Sequence, residues 1–299
     1  AVWEREAEQK RPLGQQKPRL AAEAAITINM LSPLTAAARR WCPEVLAAPK
    51  HRGTASGGPV IEALRKQPPG LVLDVGAYDG AQALAFAATG HRVYAFEPSP
   101  SKAPLIRAAF EASAHAARLT LFPVAVSNET GSTAFYVTTQ RSSRSRTIHN
   151  GFDGSEQDQL DPPPWPSNRT VVRVDTLDNV VGNSATVLYA KIDAQGHDWT
   201  VLRGARRLVT SHRLQRVAFE LWPGKEGATG RTERANEYIR TATWLMAHGY
   251  SCHKCSKYQT QSESVEDLVV ALTRFRLLFN GKDIGGFRDV VCFAHEVPM

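Results

Sequence analysis

The sequence predicts an α/β fold, a largely parallel sheet covered by helices on both faces. Three observations carry that expectation. From residue 71 onward, short apolar runs of strand length alternate with Ala-rich helical stretches, the order that crossover connections impose on a parallel sheet. The first run, "LVLDVG" (71–76), is nearly continuous in apolar residues, as a strand buried on both faces must be. Hydrophobic residues make up 42% of the 299, ample for one well-buried core with an appendage or for two small domains.

Each element follows in turn. Residues 1–19 are charged and Gln-rich, and read as frayed. Residues 20–48 are Ala-rich and helix-prone, broken by Pro33 and Pro43. A Gly/Ser/Thr loop (Arg52 to Pro59) leads to a short helix, Val60 to Lys66, that ends at Pro68-Pro69-Gly70. Residues 1–67 thus form a helical N-terminal arm, and 68–299 one domain. Its first strand precedes the helix "AQALAFAA" (81–88) and the strand "RVYAFEP" (92–98). The helix "SPSKAPLIRAAF" (99–110) opens with Ser and Pro, and "LTLFPVAVS" (119–127) is the third strand. Residues 139–168 are polar and Pro-rich and read as a long surface loop. Order returns with "TVVRVDTLDNV" and the strand "TVLYAKID" (186–193). Val201, Leu202, Ala205, Leu208 and Val209 then share one helical face. "RVAFELW" (216–222) is a strand, and Ala235, Tyr238, Ile239, Ala242, Leu245 and Met246 mark an amphipathic helix that stops before Gly249. A strand around 250–255, a helix around 265–279 and the strand "DVVCFAH" (289–295) complete the chain.

The bulk numbers limit the function classes. The net charge of +7 is spread along the chain with no Lys/Arg block, so no nucleic-acid partner is expected. No apolar run approaches the roughly 20 residues of a membrane span. Four cysteines, Cys42, Cys252, Cys255 and Cys292, are too few for a disulfide scaffold, and a reducing, cytoplasmic setting is the default. A secretory or organellar lumen is the alternative if an N-terminal segment was removed before Ala1. Two N-glycosylation sequons, Asn128-Glu129-Thr130 and Asn168-Arg169-Thr170, matter only in that second setting. Cys252-x-x-Cys255 and Cys292-x-x-His295 have zinc-like spacing, yet positions i and i+3 of a strand face opposite sides. They are therefore expected to be core thiols on neighbouring strands. Nothing in the sequence specifies an oligomeric state.

A ligand loop stands out at "DVGAYDG" (74–80). It lies at the carboxyl end of the first strand and the start of the first helix, where parallel sheets bind ligands. Gly76 and Gly80 permit a tight turn and a close backbone approach, with spacing G-x-x-x-G rather than the dinucleotide G-x-G-x-x-G. Asp74 and Asp79 flank the loop where a pyrophosphate would meet the helix N-terminus, and they would repel it. They suit a ligand carrying an ammonium and a sulfonium, and Glu97, at the tip of the second strand, suits a ribose diol. S-adenosylmethionine fits all three acids; NAD fits only Glu97. The competing reading makes the glycines turn residues, Asp79 a helix cap and Glu97 a solvated acid.

In these residues the chain resembles the FkbM-type S-adenosylmethionine-dependent methyltransferases. The matching pieces run in order from about residue 70 to 223: "DVGAYDG", "VYAFEPSP", "PVAVSNETGSTAF", "VDTLDNV", "KIDAQGHDWTVLRGA" and "VAFELWP". The resemblance implies a class I methyltransferase (Rossmann-like) fold with a seven-stranded, mostly parallel sheet. It implies methyl transfer to a hydroxyl oxygen of a small molecule or glycan. It also implies cofactor contacts at Asp74, Gly76, Gly80 and Glu97, to which the adjoining Ala77, Tyr78 and Pro98, and Val126 near the end of the third strand, are added as candidates. Asp193 is implied as an active-site acid. Where relatives carry K-I-D-x-E-G-x-E, this chain has Gln195 and Asp198 in the two Glu positions, and Tyr78 stands where Asn is usual.

Methyl transfer to oxygen needs an aligned nucleophile and a base, or a metal that lowers the hydroxyl pKa. The ends of "YAKID" and "VAFEL" flank the cofactor cleft, so Asp193, His197 and Glu220 are the catalytic candidates. Gln195 removes a carboxylate that a divalent metal would use. Each candidate has a plainer role: Asp193 or Asp198 as a helix cap, His197 as a first-turn residue, Glu220 as an arginine partner. Two alternatives to the enzyme stand beside it, a fold that binds the cofactor without turnover and a nucleotide-dependent oxidoreductase. "DPPPW" (161–165) lacks the preceding strand of a nucleobase amino-methyltransferase motif, and "QRSSRSR" (140–146) reads as a solvated loop.

Overall fold

The computed structural model describes residues 41, 58–138, 160, 167–221, 231–254 and 288–295. A short helix α1 (Pro59–Arg65), with Pro in its first turn, leads into β1 (Leu71–Val75), buried at every position. There follow α2 (Ala81–Ala87), β2 (Arg92–Phe96), α3 (Ala103–Glu111) and β3 (Leu119–Phe122). Next come β4 (Ala125–Val126), β5 (Gly131–Thr138), β6 (Ser167–Asp175) and α4 (Leu177–Val181), whose Thr176 cap accepts the Asn179 N–H. β7 (Val187–Ile192), α5 (Asp198–Arg203), α6 (Arg206–Thr210) and β8 (Arg216–Leu221) continue the alternation. α7 (Arg231–Ala247), β9 (Tyr250–Lys254) and β10 (Arg288–Ala294) end it.

The main sheet runs β3-β2-β1-β7-β8-β10-β9, parallel from β3 through β8, with β10 antiparallel to both its neighbours. This is the seven-stranded, mostly parallel sheet that the resemblance implies. The two-residue period of β1 separates the core into halves. Leu71, Leu73 and Val75 join Val201, Leu202, Ala205, Leu208 and Val209 on one face. Val72 joins Ala83, Phe86, Ile106 and Phe110 on the other. The five residues expected on one helical face are all fully buried, although the segment divides into two short helices. Trp41, from the arm, packs on Tyr189 and under the Arg216 guanidinium.

Three expectations need correction. "LTLFPVAVS" is not one strand, because it breaks at Pro123, which has no N–H for the ladder. Leu119–Phe122 stays in the main sheet, while Ala125–Val126 joins a second sheet of order β4-β6-β5. In that sheet "GSTAFYVT" pairs antiparallel with β6 along its whole length. The long loop therefore ends before Ser167, and Asn168 belongs to a strand. Finally, Cys252 and Cys292 are not unpaired core thiols. They stand directly opposite each other on β9 and β10 and form a disulfide, since cross-strand register brings their Cβ atoms within bonding reach. Cys42 and Cys255, most of the N-terminal arm and of the 139–168 segment, and the helix expected at 265–279 lie outside the described residues. Among those described, no helix is long and apolar enough to cross a membrane.

One contact joins the two sheets' connections. A Cβ on Gly204, between α5 and α6, would lie 1.9 Å from the Ser127 carbonyl oxygen. Backbone cannot yield as a side chain can. Gly204→Ala is expected to lose about 1–3 kcal/mol through overpacking, read as a lower urea midpoint at unchanged slope.

Candidate active site

The carboxyl ends of β1, β2 and β7 converge on the "DVGAYDG" loop. The Gly76 and Ala77 N–H groups both donate to the Phe96 carbonyl, tying the loop to β2. Gly76 has φ +79°, and a Cβ there would lie 2.0 Å from the Asp193 carbonyl oxygen. Gly80 has φ +78°, and a Cβ there would lie 3.0 and 3.1 Å from Ile106 and Phe110 of α3. Both glycines are therefore required by the protein's own packing as well as by the turn. Asp79 Oδ1 accepts the Ala81 N–H, but Gly80 is the N-cap of α2 and no side chain caps it. Asp79 thus steadies the turn one residue ahead of the cap and is not the helix cap of its plainer reading.

Glu97 is 5% exposed, and its two oxygens accept the N–H groups of Tyr78 and Ser99, each at 2.9 Å. The carboxylate is locked at the tip of β2 and also steadies the loop from β1. Tyr78 sits at φ +56°, 57% exposed, with the Lys102 ammonium 4.4 Å from its ring centre. Pro98 stands between Glu97 and the Ser99 that holds it, and Ala77 is buried at the loop's base. Val126 belongs to β4, buried in the core cluster that includes Phe96 and Val201.

Register explains the acids. Asp74 on β1 lies opposite Lys191 on β7, and Asp193, two residues on, returns to the side of Lys191. The Lys191 ammonium is 3.6 Å from Asp74 Oδ1 and 3.3 Å from Asp193 Oδ2, and it donates to the Gly76 carbonyl at 3.2 Å. Burial works against its charge, but Asp193 and then Asp74 outweigh burial and hold the ammonium above its ordinary range. Asp74 is fully buried, and neither oxygen has a hydrogen-bond partner among the described residues. Burial lifts its carboxyl to about 6, with Lys191 opposing the rise. Sequence reasoning misses Lys191. Its signal is a cation inside an otherwise apolar strand, two residues before an acid.

The turn beyond β7 is tight. Gln195 takes the left-handed conformation, φ +52°, unusual for a residue with a Cβ. Its Nε2 donates to Asp193 Oδ1 at 2.6 Å. Asp193, with its side chain 37% exposed, is thus held from both sides at the rim. Asp198 is fully buried and accepts the N–H groups of Ala194 and Glu220 at 3.3 and 3.1 Å. It is a brace between the β7 turn and β8, and Glu220 meets this group through its backbone N–H. His197 precedes α5, its carbonyl accepting from Thr200 and Val201. Among the described residues, no group of three or more His, Cys, Asp or Glu is arranged to hold a metal ion. A separate cleft of 960 Å³, lined by Arg203, Arg206, Arg207 and Arg240 together with Asn128 and Thr130, includes none of the candidate site residues.

Burial raises the Asp198 carboxyl to about 8, Asp193 adds to the rise, and the backbone donors oppose it. A raised carboxyl binds its proton more tightly folded than unfolded. Its contribution to stability is therefore complete below pH ~4, the unfolded carboxyl's range, and is lost as pH climbs towards 8. Asp198→Asn is expected to flatten the fall in melting temperature between pH 6 and 8, whatever its absolute stability. A slope equal to wild type would remove Asp198 as the cause.

The Methyltransferase FkbM domain family matches residues 74–252 of the chain. Among solved structures, the methyltransferase FkbM of Methylobacillus flagellatus KT is similar at 14% identity and a TM-score of 0.41. That match covers 66% of this chain and 42% of the other, so the chain spans less than half the length of that protein. A putative rRNA methylase from Clostridium thermocellum has 7% identity and a TM-score of 0.41, over 78% and 94% of the two chains. The precorrin-6y C5,15-methyltransferase of Geobacter metallireducens GS-15 has 11% identity and a TM-score of 0.37, over 79% and 85%. No curated protein matches the chain significantly.

Proposed function

The chain belongs to the FkbM family of S-adenosylmethionine-dependent methyltransferases, and from that premise we propose that it methylates a hydroxyl oxygen of a small molecule or glycan. Residues 68–299 form the methyltransferase domain in this reading, and the arm before them contributes Trp41 to its core. The carrying observation is the gathering of three differently prepared acids, Asp74, Glu97 and Asp193, around one glycine-bounded loop.

The residues fit the cofactor. Asp74 has two buried oxygens lacking hydrogen-bond donors among the described residues, a costly arrangement that the methionyl ammonium would relieve. Glu97, held by two backbone donors, presents a fixed carboxylate to a ribose diol, since a carboxylate has about four acceptor sites. Ala77, Tyr78, Gly80 and Pro98 adjoin these two acids in sequence, and Val126, buried beside Phe96 in the core, would contribute apolar surface to the cofactor site. When bound, S-adenosylmethionine supplies an electrophilic methyl group on sulfur.

The chain's own residues then do the rest. Asp193, at the rim, accepts the proton of the acceptor hydroxyl as oxygen becomes nucleophilic. Gln195 and Lys191 aim its carboxylate from either side. His197 and Glu220 flank the acceptor's approach from the ends of β7 and β8. This proton route needs no metal, which suits a chain with Gln195 where relatives have Glu.

Thermal shifts test the cofactor half. S-adenosylhomocysteine at 100 times its Kd is expected to stabilise by about 2.7 kcal/mol, while NAD has no effect. Stabilisation by NAD alone would support the oxidoreductase instead. Transfer of labelled methyl to a panel of hydroxyl acceptors tests the other half. Tight binding with no transfer to any hydroxyl would favour the binding protein without turnover, for which Gln195 is the supporting feature.

A further inference from the structure

We propose that this chain folds in an oxidising, glycosylating lumen, where Asn128 and Asn168 carry N-linked glycans. Two independent sets of residues support the idea, and neither is part of the methyl-transfer site.

The first is the disulfide. Cys252 and Cys292 are both completely buried, in adjacent strands at the far side of the main sheet. The bond closes a loop across 40 residues, and it links the edge strand β9 to β10, which itself pairs with β8. Its burial keeps reductants and thiols away from the sulfurs. A bond of this kind is structural rather than catalytic, and such bonds persist where the surroundings are oxidising. The two thiols lose two electrons and two protons to a disulfide-exchange oxidant of that compartment.

The second is the pair of sequons, whose value depends on where the fold puts them. Asn128 is exposed on the turn that joins β4 to β5. Its Oδ1 accepts the Ser127 hydroxyl, while its amide nitrogen donates to nothing among the described residues. Asn168 is exposed near the start of β6, opposite Val137 of β5, at a point where β4 does not reach. Thr130 is exposed and Thr170 half-buried. Proline occupies neither middle position, since Glu129 and Arg169 stand there. Both asparagines are exposed, Asn168 on the β5–β6 pair and Asn128 beside the cleft that it lines with Arg203 and Arg240, so each presents its amide where a bulky polar group can be attached. In the transfer step, the asparagine amide nitrogen bonds to the anomeric carbon of a lipid-linked oligosaccharide. The lipid diphosphate leaves, and the amide loses one proton.

The test uses protein isolated from its own cells. It is denatured in maleimide without reductant, digested and analysed by mass spectrometry. The expected result is one disulfide-linked peptide pair containing Cys252 and Cys292, separated only by reductant. Treatment with a glycan-releasing amidase in heavy-oxygen water is expected to convert Asn128 and Asn168 to labelled aspartate. Thr130→Ala and Thr170→Ala are each expected to remove one glycan step on a gel, and together both. Maleimide on both cysteines before reduction overturns the proposal. So do bare asparagines at both positions, even with the cysteines linked, because the compartment would then oxidise without glycosylating.

Discussion

Lys191→Met is expected to destabilise the protein by about 3–5 kcal/mol, the range for removing one partner of a buried ion pair. The reason lies in what is left behind. Asp74 is fully buried, its oxygens have no hydrogen-bond donors among the described residues, and the Lys191 ammonium is its compensating charge. Its carboxyl already sits at about 6 through burial, so without the lysine it would keep its proton at neutral pH. The same substitution removes the donor to the Gly76 carbonyl and one of the two groups that aim Asp193. A cycle with Asp74→Asn separates these effects. The double variant is expected to recover part of the loss, because an amide has no charge to neutralise and needs no proton taken up in the core; a coupling of about 0.5–3 kcal/mol is the usual scale for touching residues. Urea midpoints for the four proteins give the answer. Lys191→Met within ~0.5 kcal/mol of wild type would mean that Asp74 is satisfied by some other group.

The legible and illegible parts of this fold divide by range. β1, β2, β7 and β8 can be read from runs of apolar residues because a doubly covered strand shows its burial in its own composition. The turn at Gly249 and the helix before it are equally local. β5 escapes notice because its Ser and Thr look like loop, although Phe135 and Val137, two residues apart, suit a half-covered edge strand pairing with β6. The disulfide is out of reach for a different reason. It needs the register of two strands separated by a long segment, and spacing points to Cys255 as readily as to Cys292. The site shows the same division. Asp74, the glycines and Glu97 lie within one strand–helix–strand unit and are marked by position. Lys191 and the bracing role of Asp198 depend on β1–β7 pairing and on the Glu220 N–H, which only the assembled sheet supplies. Gly76 reads from sequence as room for a ligand's approach, whereas the Asp193 carbonyl already fills that space.

Asp193→Asn is expected to lower kcat by about 10²–10⁴, the usual contribution of a positioned base, while S-adenosylhomocysteine binding stays near wild type. That factor corresponds to about 3–5 kcal/mol of barrier. The substitution is nearly isosteric, and Asp193 is only partly buried, so folding should survive. A fall in cofactor affinity with kcat preserved would instead make Asp193 a binding residue. Gln195→Glu then asks what the departure from the family pattern has done. In the present protein the Gln195 amide donates to Asp193 at 2.6 Å; a carboxylate there would replace attraction by repulsion at the same distance. If Gln195 is part of a working, metal-free arrangement, Gln195→Glu lowers kcat and added divalent ions do not restore it. If Gln195 ended an ancestral activity, wild type is silent towards hydroxyl acceptors and Gln195→Glu gains transfer when a divalent ion is supplied. The left-handed backbone at Gln195 makes the comparison fair, because Glu meets the same φ restriction as Gln. Any difference between the two proteins therefore reports the charge beside Asp193 and not a change in the turn.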